Sequence, residues 1–493
     1  MAARNYDDYG KCRAIVNTWA DKSLHELEGG TEQERLLLKD LLFFLHVPRT
    51  GGRTYFHCFL RNLYHHNQEC PRSYDKLRFD PSKPECRLLV THDDYSILSK
   101  LPKVKTSVVT VLRAPVDRVF STYEFSVEVA SRFLIHPNLS SSMRLRRTDS
   151  KSSNIVSTLD IWPWRYLVPW MREDLFARRD ARQIERMAIE KEAENSYDME
   201  AMLMPLREFI HRPLAHEIVH NGATFQVAGL TNNSYIEGAQ EIRQFVVKYS
   251  SLGKYVLQVA KRRLDKMLCV GLPENHKESA TMFANIVGAQ VICQLQKSNN
   301  SFGLSSLVTN NKTGSKLMSI GSNSEGLMQP QSSIEDQKSN IHPVNENAKE
   351  EKGNLTVAKL MGNYEGCVST SRLTHTRRRI SSLKGVAPAN FSTEERSRVP
   401  EAVIKEIGKL NSLDVKLYEH ALKIYSKQQT AWLQQQTSIP RESSLQVMED
   451  TFYSRASRFL SVSGFFLAFI TVVSLVYSIY KVAAKGRTSK LKI

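Results

Sequence analysis

The sequence predicts an α/β fold built on a central parallel sheet, on the strength of two strand–turn–helix units and an apolar content sufficient for a core. The chain has 493 residues, of which 41% are hydrophobic, which leaves room for two or three domains and excludes a wholly disordered chain. The first unit starts with LLFFLHV (41–47), a continuous apolar run of the kind buried on both faces of a parallel sheet. PRTGG then forms a turn, and Phe56, Phe59, Leu60 and Leu63 recur on one helical face. In the second unit SVVTVLR (107–113) is a β-branched strand, Pro115 suits a first helical position, and Val119, Phe120, Tyr123 and Val127 mark the face of the next helix. Strands alternating with helices make a parallel sheet, and ligands of such sheets gather at the carboxyl ends of the strands, where both turns lie.

The remaining organisation follows from shifts in composition. An N-terminal segment (1–35) precedes the first part of the main domain (36–295). From 296 to 395 the chain reads as a low-complexity, disordered insert, poor in aromatics and rich in Ser, Asn, Lys, Gly and Glu at least to about Leu355. Helical periodicity resumes after Glu401, with Val403, Ile404, Ile407, Leu410, Leu413, Leu417, Ala421 and Tyr425, so 396–430 is a helical completion of the split domain. A stalk (431–458) leads to FLSVSGFFLAFITVVSLVYSIY (459–480), 22 uncharged residues that as a helix would cross a hydrocarbon core of about 30 Å. The tail 481–493 carries Lys481, Lys485, Arg487, Lys490 and Lys492 without an acid, which puts the C-terminus in the cytosol and the main domain in the lumen as a single-pass type I protein. MAARNYDDYGKCR has no apolar stretch suited to a signal peptide, so this topology implies a leader missing upstream; a tail anchor with the domain in the cytosol is the other option. Sequons at Asn138, Asn232, Asn299, Asn311, Asn354 and Asn390 suit the lumen and a glycoprotein.

Lys and Arg number 68 against 51 Asp and Glu, a net charge of +17, which attracts anions without saying which. The 7 cysteines are too few for a disulfide scaffold. Cys70 and Cys86 bracket a Pro-containing loop and are candidates to pair in an oxidising lumen, whereas Cys58, on an apolar helix face, is expected to be buried. No Cys/His spacing suits a metal.

The chemistry concentrates in two loops. In HVPRTGGRT (46–54), Gly51 and Gly52 let backbone amides approach a ligand at a helix N-terminus, and Arg49, Thr50, Arg53 and Thr54 add charge and hydroxyls. This has the logic of a phosphate cradle, although GxxxxGK[ST] is absent. In the second loop, Arg113 ends a strand and Ser121 lies two turns into the next helix, positioned for a second phosphate.

HVPRTGG and LRAPVDRVFSTYEF resemble the two cofactor loops of Golgi sulfotransferases that use 3′-phosphoadenylyl sulfate (PAPS), especially the heparan sulfate 6-O-sulfotransferases. VGLPE (270–274) and LNSLDVKLYEHALKIY (410–425) extend the similarity. The whole arrangement, with STLDIWPWRYLVPWMREDLFARRDAR (157–182), the insert and the C-terminal apolar segment, resembles the plant tyrosylprotein sulfotransferase family. The resemblance implies a PAPS-dependent sulfotransferase (P-loop-like) fold, a Golgi membrane location, and transfer of sulfate to tyrosines in acidic contexts of secreted peptide precursors.

Carried onto this chain, the resemblance makes Arg49 the group that neutralises the leaving phosphate, and gives the 5′-phosphosulfate to Arg49, Thr50, Gly51, Gly52, Arg53 and Thr54. Arg113 and Ser121 take the 3′-phosphate, and His92, at the end of LLVTHDDY (88–95), is the general base. Asp93 or Asp94 is a candidate to orient its ring, and His46 is unassigned. Ala114 stands where the heparan-type pattern has Asp, removing an N-cap worth about 1 kcal/mol. Trp162, Trp164 and Trp170 with Arg172, Arg178, Arg179 and Arg182 are either a clamp for an acidic peptide or a core cluster with a solvated basic helix; Asn221, Thr224 and Gln226 are further candidates to line the site. A glycan O-sulfotransferase and a non-catalytic membrane receptor for acidic peptides are the competing readings. Nucleic acid is not an expected partner, because the basic run 375–379 borders the insert and faces the lumen.

Overall fold

The computed structural model describes residues 2–29, 31–64, 68–70, 86–102, 105–135, 161–185, 195–294, 355–383 and 389–437. The chain divides after Gln429, and the sheet with the loops at its strand ends belongs to the unit Met1–Gln429.

Four parallel strands form one sheet in the order β2-β1-β3-β4: β1 (Leu41–Leu45), β2 (Leu88–Thr91), β3 (Thr106–Val111) and β4 (Cys269–Gly271). Every residue of these strands is buried, as continuous apolar runs require when both faces are covered. Register aligns the carboxyl ends, with Leu45 opposite Thr91 on one side and Thr110 on the other. The chain leaves β1 toward β2, then crosses back over β1 to β3, and this reversal opens a crevice between the carboxyl ends of β1 and β3.

The helices that matter are α1 (Ala2–His25), α2 (Gly52–Tyr55), α3 (Pro115–Ile135), α4 (Trp164–Glu185), α5 (Gly222–Val227), α6 (Gly253–Asp265), α7 (His276–Phe283), α8 (Val357–Leu383), α9 (Glu401–Leu410) and α10 (Ser412–Thr437). Beyond α2 the helix continues through a π turn, Phe56–Leu60, into Arg61–Leu63. The N-terminal segment belongs to the fold: Cys12, Val16, Trp19 and Ala20 of α1 are buried in the same apolar cluster as the sheet. A second apolar cluster joins Val119, Tyr123 and Val127 of α3 to Trp164, Leu167 and Met171 of α4 and to Phe209, Phe391 and Ile407.

Two expectations are corrected. Among the described residues no helix is long and apolar enough to cross a membrane, and the expected span 459–480 lies outside them. The long helices described carry charge along their length; α3 alone has Asp117, Arg118, Glu124, Glu128 and Arg132 within 21 residues. The insert also ends earlier than 395. Residues 296–354 lie outside the described set, but α8 packs Leu360, Tyr364 and Val368 into the main core, and its Cys367 is disulfide-bonded to Cys58. Cys58 is buried as expected, yet it is not free. Cys70 and Cys86 pair as anticipated. In the chain-entropy model the longer bridge, spanning 309 positions, is worth about 5 kcal/mol and the shorter one about 3 kcal/mol.

The helical completion is fastened by buried charge. Arg118 on α3 meets Asp414 on α10 at 2.8 Å with both side chains 1% exposed. Asp414 also accepts from the Thr224 amide at 2.7 Å and its hydroxyl at 2.6 Å, while Asn411 donates to the Val219 carbonyl at 2.7 Å. Asn221 and Thr224 are therefore committed to holding α10 rather than lining a ligand site. Asp414→Ala leaves Arg118 charged and unpaired in the interior, and the expected cost is about 3 to 5 kcal/mol, read as a lower urea midpoint; a loss below about 1 kcal/mol contradicts it.

Candidate active site

All the loops singled out in the sequence meet at the carboxyl edge of the sheet. After β1 the chain turns through Arg49, at a left-handed φ of 66°, and Gly51, at φ 83°, into α2. A left-handed Arg is costly and persists only where its surroundings hold it. Arg49 is held on two sides: its Nε donates to Ser121 Oγ at 3.0 Å and its guanidinium lies 4.4 Å from the centre of the Phe125 ring, both on α3. Burial draws the guanidinium down to about 10, with Glu124 and Glu128 opposing the shift, so it stays charged at neutral pH.

Gly52 has no substitute. A Cβ there would lie 2.3 Å from Cδ2 and 2.7 Å from Nε2 of His46, so the cradle and that imidazole share one space. Thr50 is fully enclosed, and its hydroxyl donates to the Val47 carbonyl at 2.8 Å. It shapes the turn, and the donor expected to face a ligand is spent. Arg53 is exposed and Thr54 half-buried at the start of α2, beside the exposed Gly51.

The second loop closes over the first. Arg113 Nη1 donates to the Arg49 carbonyl at 3.4 Å, and burial lowers its basicity against the pull of Asp117. Arg49, Ser121 and Arg113 thus converge in the β1/β3 crevice. The missing N-cap at Ala114 is replaced from another strand end: Glu274, in the loop after β4, accepts from the Ala114 amide at 2.8 Å. That is the backward half of a capping box, supplied in trans.

His92 follows β2 and is 6% exposed. Its Nδ1 lies 2.8 Å from the His46 carbonyl, which can only accept, so Nδ1 carries the proton and Nε2 the lone pair. Burial draws its pKa from 6.5 to about 4, with the His46 carbonyl opposing. Asp93 accepts from Thr91 Oγ1 at 2.8 Å, and Asp94 caps the turn Tyr95–Lys100 and binds Thr231 at 2.8 Å and 2.9 Å. Gln226 on α5 ties the two strand ends together, its Nε2 donating to the His92 carbonyl at 2.9 Å.

Other candidates are structural. Trp162 and Trp164 are buried, Trp170 stacks on Phe209 at 5.9 Å, Arg178 pairs with Asp174 and Glu208, Arg179 pairs with Asp180, Arg172 lies over Phe133 and Arg182 bonds the Ala201 carbonyl. The tryptophans belong to the core, and the arginines after them are paired with neighbouring acids, carbonyls or rings. What the sequence reading missed is Glu124, 5% exposed, which accepts from Tyr197 at 2.8 Å, from Arg396 at 2.6 Å and from Arg379 at 3.4 Å. These two arginines come from the far side of the insert, and only Arg379 belongs to the basic run 375–379 that the sequence displays.

The arrangement fits a phosphate-bearing ligand. A Gly-lined helix N-terminus, two guanidinium groups and a neutral buried imidazole surround one crevice, and no group of His, Cys, Asp or Glu able to hold a metal occurs among the described residues. Parallel sheet, glycine-lined anion cradle and buried neutral imidazole together fit a group-transfer enzyme acting on a phosphate-bearing donor. No family model matches the chain. It is 48% identical over 493 residues, 99% of its length and 95% of the other's, to a protein-tyrosine sulfotransferase of Arabidopsis thaliana. The chain belongs to the protein-tyrosine sulfotransferase family.

Gly52→Ala is expected to abolish binding of adenosine 3′,5′-bisphosphate by calorimetry, because the new methyl displaces His46. Gly10→Ala, where a Cβ meets nothing within 4 Å, leaves binding unchanged. Equal binding by all three proteins contradicts the cradle.

Proposed function

We propose that this protein-tyrosine sulfotransferase uses PAPS as donor and sulfates tyrosines in acidic contexts of secretory peptide precursors. The observation that carries the division of labour is the layering at the crevice: the cradle glycine rests on His46, and His46 rests on the neutral His92.

PAPS, when bound, supplies a sulfuryl group already attached to a good leaving phosphate. Arg49, Gly51, Gly52, Arg53 and Thr54 hold the phosphosulfate end, with Arg49 countering the charge that develops on the leaving oxygen; Thr50 keeps the turn in shape. Arg113 and Ser121 take the 3′-phosphate. His92 Nε2 accepts the phenolic proton as the tyrosine oxygen bonds to sulfur and the sulfur–oxygen bond to the 5′-phosphate breaks, releasing adenosine 3′,5′-bisphosphate. A phenol with pKa near 10 needs such a base at neutral pH.

The acidic context is supported by α8, whose His375 and Arg378 lie near the cradle arginines. His375 is made less basic by burial and then by Arg53, Arg378 and Arg49, a neighbourhood that places it beside the donor loop. The two disulfides support an oxidising secretory compartment such as the Golgi lumen.

Labelled PAPS offered to an Asp-Tyr peptide and to a desulfated heparan-type glycan tests the reading; label on the glycan alone overturns it. His92→Ala is expected to lose transfer by about 100-fold or more while keeping adenosine 3′,5′-bisphosphate binding, and near-normal turnover removes His92 as base. Arg113→Ala is expected to weaken that binding by about 10- to 100-fold in calorimetry, and unchanged affinity removes it from the donor site. The base works only when neutral, so with its pKa at about 4 the rate rises with pH through about 4 and is level by about 6. The same shift acts on stability: between 6.5 and about 4 the unfolded chain binds a proton that the folded one refuses, so stability falls as pH falls through that window.

A further inference from the structure

His46 is the one titratable residue of the cradle motif to which the reaction assigns no task. It is 8% exposed, at the carboxyl end of β1, and its ring is packed on both sides. On one side it stacks on His92, centroids 4.2 Å apart and planes 28° from parallel; on another it lies 5.7 Å from the Phe44 ring at 12°. Above it sits Gly52, with no room for a single added carbon. Its carbonyl accepts a hydrogen bond from His92 Nδ1–H and its own ring covers a face of His92, so one residue sets both the tautomer and the solvation of its neighbour.

We propose that His46 is a positioning residue whose ring shields and aims His92, and whose contact with Gly52 keeps that shield seated under the donor cradle. This rests on the reading of His92 as the general base. Removing the ring admits water to the face of His92 and lowers the cost of charging it. The charged and titratable groups around the pair are Arg49 from the turn, Arg53 and His57 from the helix after it, and the two imidazoles themselves. The cations all disfavour a proton on His46, and burial keeps it neutral as well, so it acts on His92 as a cover rather than as a charge.

The test compares His46→Ala, which removes the cover, with His46→Phe and His46→Gln, which keep a planar group there without a proton to titrate. His92 is followed by nitrogen-labelled histidine NMR, the acid limb of kcat by rate measurements across pH, and folding by adenosine 3′,5′-bisphosphate binding. In His46→Ala the His92 titration and the acid limb are expected to rise together by about one to two pH units. In whichever of His46→Phe and His46→Gln still binds the nucleotide, both stay where they are in the parent. A His92 titration unmoved in His46→Ala overturns the shielding. A titration that moves while the acid limb does not overturns the catalytic role of the pair, and separates failure of the base assignment from failure of the shield. A uniform drop in rate at every pH, with titration unchanged, marks His46 as structural only and also overturns the proposal.

Discussion

One buried ion pair fixes the frame in which the candidate site is assembled. Arg118 and Asp414, 296 positions apart, meet where neither is exposed to water, and two charges taken out of water are tolerated only when each is also hydrogen-bonded. Arg118 gives a second bond to the Ile218 carbonyl at 2.8 Å, and Asp414 receives Thr224. The pair therefore locks together α3, the helix that presents Ser121 and Phe125, with α5, which presents Gln226, and α10. Arg49 keeps its unfavourable backbone angle because α3 stands still.

The site is consequently a product of tension between strain and packing. A left-handed Arg, a glycine with no free volume and two imidazoles in contact are each poor choices locally. Together they leave the guanidinium, the helix N-terminus and the imidazole lone pair with little freedom to lose when substrate arrives, which is how positioning lowers a barrier. Glu274 adds to this by linking the β4 loop to the first amide of α3, so that all four strand ends bear on the crevice directly or through one neighbour.

What was legible in the sequence was local. Strands β1 and β3 announced themselves as unbroken apolar runs, the cradle by its paired glycines, and His92 by its place at a strand end within a known pattern. The Cys70–Cys86 bridge spans a short loop and could be anticipated. The features that escaped are long-range. Nothing in the spacing of Cys58 and Cys367 joins them across a low-complexity stretch, and nothing near Ala114 announces a cap from Glu274. α8 was hidden because its buried apolar residues, Leu360, Tyr364, Val368 and Leu383, are sparse while Leu373 and Ile380 are exposed, so no clean apolar stripe stands out beside the stretch before it. His46 contributes through its carbonyl and its ring face, properties that residue type does not display.

The bridge from Cys58 to Cys367 also makes a covalent ring out of most of the chain between them. A single proteolytic nick anywhere from 59 to 366 would leave both halves joined, migrating as one species until reduced. For this molecule, apparent intactness on a non-reducing gel and continuity of the polypeptide are different properties, and an active preparation can have the first without the second.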